Sequence, residues 1–137
     1  MDNPSKGLRA LLDILKDNGF LKLGLYSELA RKDIVKARNY ITSKNLQPNE
    51  DSIRYFRETI FSGETPALNS LTKSSDFYAL SSCRDLCFHT QEHRFTINQL
   101  QEILKSNELE FLGFLLPKPI KSLYQQYFPE DKKQTNL

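Results

Sequence analysis

Apolar positions in this chain recur at two spacings. Leu8, Leu11, Leu12 and Leu15 fall at i, i+3, i+4 and i+7, one stripe along a helix with Ser5 as its expected N-cap. Asp17-Asn18-Gly19 stops it, with Gly19 suited to a left-handed C′ position. The period then shortens to two. Leu21, Leu23 and Leu25 alternate with Phe20, Lys22, Gly24 and Tyr26, which predicts a strand over 20–26. Ser27 is the expected N-cap of the next helix, with Ala30, Ile34, Ala37 and Ile41 as its buried stripe. Arg31, Lys32, Lys36 and Arg38 read as its solvated face.

Helical spacing dominates the chain beyond Ile41. Asn49 or Asp51 can cap a helix carrying Ile53, Phe56 and Ile60, and Ser62 to Pro66 breaks it. A further helix is predicted from Ser75 or Asp76 toward Phe88. Thr96 with Gln99 forms a Thr-x-x-Gln capping box ahead of the stripe Ile97, Leu100, Ile103 and Leu104. Residues 109–116 are apolar at almost every position, the mark of a strand covered on both faces. Ile120, Leu123, Tyr124, Tyr127 and Phe128 give a last helical stripe, and the tail from Glu130 is expected to fray. The fold class expected is α/β, with strands near 20–26 and 109–116 and a helical segment inserted between them. Two strands cannot satisfy each other's edges, so this reading calls for further strands outside the chain.

Composition narrows the function classes. With 137 residues, 39% of them apolar and nine Phe with six Tyr, one ordinary domain with a lean core is expected. Nineteen basic against 17 acidic side chains leave a net charge of +2, which argues against a dedicated nucleic-acid binder. No apolar run is long enough to span a membrane and no secretory leader is visible at the N-terminus. Two closely spaced thiols, Cys83 and Cys87, fit a reducing, cytoplasmic setting.

The densest polar stretch is Cys83 to Arg94, holding both cysteines and both histidines. His89-x-x-Glu92-His93 matches an inverted zincin pattern, but the helix it needs is interrupted by the cap at Thr96. Cys83, Cys87, His89 and His93 lack the separation between ligand pairs that a structural zinc site needs. The two cysteines therefore read as small core residues, and no metal is expected. Arg84 with Asp85 reads either as an ion pair or as a cleft-facing pair. His89, His93 and Arg94 lie in the loop before a capped helix, where ligand contacts concentrate. Tyr26 and Ser27 end the first strand, with packing and helix capping as their plain roles. The five glycines are scattered, so no phosphate-cradling loop is present.

The stretch from Leu15 to Arg31, with Asn18-Gly19-Phe20 in its turn, resembles the region around the fifth strand of class I S-adenosylmethionine-dependent methyltransferases. Ser75 to Thr96 resembles the matching part of a bacterial subgroup often associated with tetratricopeptide repeats. The capped helix and 109–114 are similar to the closing helix and sixth strand of that fold. The resemblance runs from about Gly7 to Pro129.

The resemblance implies a partial Rossmann-like sheet and the substrate-side, C-terminal half of a methyltransferase, over 7–129. It implies that Tyr26, Ser27, Arg84, His89, His93 and Arg94 contribute to the acceptor side. The family's glycine-rich loop and ribose-binding acid would lie ahead of Gly7. S-adenosylmethionine is thus expected to serve the full-length family and not this chain alone, which is expected to be inactive by itself. The implied partner is an upstream methyltransferase half or a tetratricopeptide-repeat segment, with the acceptor substrate unspecified. The competing expectation is a non-catalytic interaction module whose apolar edges dock a partner.

Overall fold

The structure is a computed structural model that describes residues 3–89 and 91–137. It is helical. Helix accounts for 54% and strand for 3%, too little strand for a Rossmann-like sheet of any size. The α/β expectation is therefore corrected. Tyr26–Ser27 (β1) and Arg94–Phe95 (β2) pair in parallel, and they are the strands found among the described residues. Residues 20–25 and 109–116 are assigned to neither strand nor helix. The physical reason is the one the edge argument exposes. A strand is made by its neighbour's backbone, and neither stretch pairs with one among the described residues.

The chain divides into two compact units, Met1–Arg94 and Phe95–Leu137. In the first, helix α1 (Pro4–Leu12) is capped by the Asn3 side chain, which accepts from the Lys6 amide at 3.2 Å. The left-handed residue after it is Asn18, not Gly19. Helix α2 (Lys32–Ser43) follows β1, and α3 (Glu50–Phe61) starts where the Asn49 side chain accepts from the Ser52 amide at 2.9 Å. Two short 3₁₀ segments, Pro66–Lys73 and Ser75–Phe77, lead into α4 (Leu80–Cys83). That helix widens directly into a π turn over Arg84–Phe88, a form that often marks functional segments.

Ile34, Ala37 and Ile41 of α2 pack with Ile53, Phe56 and Ile60 of α3, and with Leu68, Leu71, Phe77, Cys83 and Leu86 to Phe88. Phe56 lies at the centre, edge-on to Phe77 and Phe88 with ring centroids 6.3 and 5.6 Å away. Every buried residue among those described lies between Ile34 and Phe88. The lean core expected from composition is thus concentrated in fewer than half of the residues.

The second unit holds α5 (Ile97–Ser106) and α6 (Lys118–Tyr127). Thr96 and Gln99 form the expected reciprocal capping box at the start of α5. Asp131 gathers the tail, accepting from the Tyr124 hydroxyl at 2.9 Å and from the amides of Thr135 and Asn136. Yet neither helix buries a residue. Leu112, Leu115, Leu123 and Phe128 are all exposed.

Candidate functional site

The polar centre of the first unit forms where α2 begins and where the chain returns at β2. Arg31 is the N-cap residue of α2, Arg38 lies two turns further along it, and Arg94 is in β2. All three converge on one carboxylate. Glu92 Oε2 accepts from Arg38 Nη2 at 3.1 Å and is ion-paired with Arg31 Nη2 at 3.0 Å. Arg94 Nη1 stands 3.8 Å from Oε1, while Arg94 Nε donates to Glu28 at 3.0 Å. The Glu92 side chain is only 3% exposed, and those of Arg31 and Arg38 are 16% and 18% exposed. Burial on this scale separates the cluster from ordinary surface pairs such as Arg54–Glu50, because desolvated charges interact far more strongly. Arg38 Nη2 also donates to the Leu86 carbonyl at 3.2 Å, tying the π turn to α2.

Arg31 has a second role. Its guanidinium lies 4.0 Å from the centroid of the Tyr26 ring, a cation–π contact. Tyr26 and Arg31 line an open cleft of about 330 Å³ with Asp76, Ser82, Asp85 and Leu86. Its lining offers carboxylates, a hydroxyl and a guanidinium, but no glycine-rich turn.

The six residues expected at a site are only partly brought together. Tyr26 is in the cleft, while Arg94 belongs to the arginine cluster. Ser27 Oγ accepts from the Ala30 amide at 3.3 Å, so it supports a turn and does not cap α2, which starts at Lys32. Arg84 is exposed and 3.6 Å from Asp85, the plain ion pair. His89 is exposed, and its Nδ1 accepts from the Gln91 amide at 3.2 Å. His93 is exposed as well. Thr90, in the same loop, is outside the described residues.

Cys83 and Cys87 are fully buried free thiols in the core. Cys87 donates toward the Cys83 sulfur, which lowers the Cys83 thiol and, together with burial, raises Cys87. Among the described residues no three His, Cys, Asp or Glu side chains are grouped to hold a metal.

Sequence reasoning misses Glu92, Arg31, Arg38 and Glu28 as a unit. The solvated face expected for Arg31 and Arg38 is corrected, since both are largely buried against Glu92. They fall in the same helical register as Ile34 and Ile41, at i, i+3, i+7 and i+10, and that register is the available signal.

Among known proteins, the chain is similar to the uncharacterized protein syc1184_c of Synechococcus sp., with 31% identity over 123 residues. The match takes in 83% of this chain and 29% of the relative, so the chain spans under a third of that protein's length. No family model matches, and no solved structure matches. No helix among the described residues is long and apolar enough to cross a membrane.

Proposed function

We propose that this chain acts as a non-catalytic interaction module, a self-packed helical core whose apolar flanks dock on the rest of a larger polypeptide. One observation carries the reading. The buried apolar core among the described residues lies between Ile34 and Phe88, while the flanks hold large apolar side chains in the open, among them Phe20 at 83% and Leu115 at 74% exposure. Exposed apolar surface of this density is a docking feature rather than a resting state in water. Residues 20–24 and 110–116 also make no backbone–backbone hydrogen bond among the described residues, so polar groups there are available to a partner as well.

The occupant we assign is polypeptide of the kind that makes up the remainder of syc1184_c, since the match to this chain takes in 29% of that protein. The resemblance to class I methyltransferases gives that remainder a proposed chemistry. It would bind S-adenosylmethionine, and Tyr26 with its cleft would face the acceptor. On this reading the isolated chain shows no saturable binding of S-adenosylmethionine in calorimetric titration.

The direct test is co-expression of this chain with the part of syc1184_c outside the matched residues. Co-purification is expected, together with loss of hydrophobic-dye binding by the chain. Leu23→Asp and Leu115→Asp should weaken the association and leave the thermal melt of the chain unchanged. A chain that binds no dye, or that unfolds when these exposed positions are charged, refutes the proposal.

A further inference from the structure

We infer that Arg31, Arg38 and Arg94 form an oxyanion site of the phosphate class that Glu92 fills as an internal, displaceable occupant. The inference is independent of the docking proposal. It rests on a mismatch between donors and acceptor. Three guanidinium groups face a single carboxylate, and only one of its oxygens is hydrogen-bonded. Glu92 Oε1 is buried without a hydrogen-bond partner among the described residues, and so are Arg31 Nε and Arg38 Nε. A buried donor left unmatched is costly, so a site built only for Glu92 would be expected to pair them. A planar carboxylate presents two oxygens; a tetrahedral oxyanion presents more, in several directions. Arginine forks suit that geometry.

Charge agrees. Arg31, Arg38 and Arg94 carry three positive charges, and Glu92 and Glu28 return two, with Glu28 the more exposed of the pair. Replacing Glu92 by a dianionic phosphate would balance the three arginines more closely. Geometry provides a route as well. Arg31 lies both in the cluster and in the wall of the open cleft. Gln91, Glu92 and His93 are in neither helix nor strand, so the carboxylate can leave without unwinding α2. Asp76 and Asp85 in the same cleft are carboxylates, which disfavour large polyanions there.

The experiment follows the arginine Nε–H signals of the full chain by nuclear magnetic resonance during titration with inorganic phosphate. Sodium chloride at matched ionic strength is the control, and phenyl phosphate tests whether an esterified phosphate is also taken. A saturable change at Arg31 and Arg38 with phosphate and none with chloride is expected. Glu92→Gln keeps the shape of the occupant and removes its charge, so phosphate should bind about tenfold more tightly as the internal competitor is weakened. Adding Arg38→Ala to that variant should abolish the gain. Wild-type signals that move identically in phosphate and chloride overturn the inference. So does a folded Glu92→Gln protein that binds phosphate no better than wild type.

Discussion

Two phenylalanines of equal size give the sharpest test of where this protein keeps its stability. Phe56 is fully buried and sits in an aromatic cluster with Tyr40, Phe77 and Phe88 at centroid distances of 6.1, 6.3 and 5.6 Å. Truncating a buried phenylalanine to alanine costs about 3–5 kcal/mol through lost transfer energy and the cavity left behind. Edge-to-face pairs add about 0.5–1.5 kcal/mol each beyond burial, which places Phe56→Ala at the upper end. Phe20 is 83% exposed, so Phe20→Ala should change stability by no more than about 0.5 kcal/mol. The assay is urea unfolding followed by far-ultraviolet circular dichroism. With a slope of roughly 2 kcal/mol per molar, a loss of about 5 kcal/mol moves the Phe56→Ala midpoint down by about 2.5 M, and the Phe20→Ala midpoint should barely move. Equal losses at the two positions would refute a core confined to 34–88.

Three further outcomes rest on the same geometry. Glu92→Ala leaves three arginines facing an emptied buried site and should cost about 3–5 kcal/mol, read in the same urea assay, whereas Glu50→Ala on the surface should cost under about 1 kcal/mol. Cys83 and Cys87, both fully buried, should resist alkylation in the native protein and react together once urea unfolds it; rapid native labelling would contradict their place in the core. The Asp131 carboxyl is held below the usual carboxylate value, first by the Asn136 amide and also by the Tyr124 hydroxyl and the Thr135 amide. Its folded value is depressed, so its contribution is complete above the unfolded value of 3.8 and is lost as pH falls through the folded one. The Asn136 and Thr135 amide signals should shift together below that point, and amides that stay constant there would contradict the pairing.

Local chemistry was the most legible part of this sequence. Asn49 caps α3 and Thr96 with Gln99 box the start of α5, because capping depends on residues within one turn of each other. The stripes of Ile34, Ala37 and Ile41, and of Ile53, Phe56 and Ile60, also pointed to the core, since helical period reports which face is apolar. Period two at 20–26 reports only which side chains would share a face. It carries no information about whether a second backbone pairs with the first, and among the described residues none pairs with 20–25. Part of the candidate site was hidden for a related reason. Arg31 and Arg38 bear the charges of a surface and the register of a core, and only their distant partner Glu92, 54 residues beyond Arg38, resolves the conflict.

The parallel pairing of β1 with β2 has a consequence for how such a segment travels between proteins. Paired strands lie roughly 4.8 Å apart, so the chain leaves the helical core almost where it joined it. A host loop could receive residues 26–95 as a cassette with its own ends scarcely displaced, and closure over so short a gap adds little entropic cost. Grafted this way, the arginine-clasped neck would serve as a ready-made splice point. The helical core could be moved between hosts as one piece, without redesign of either side of the junction.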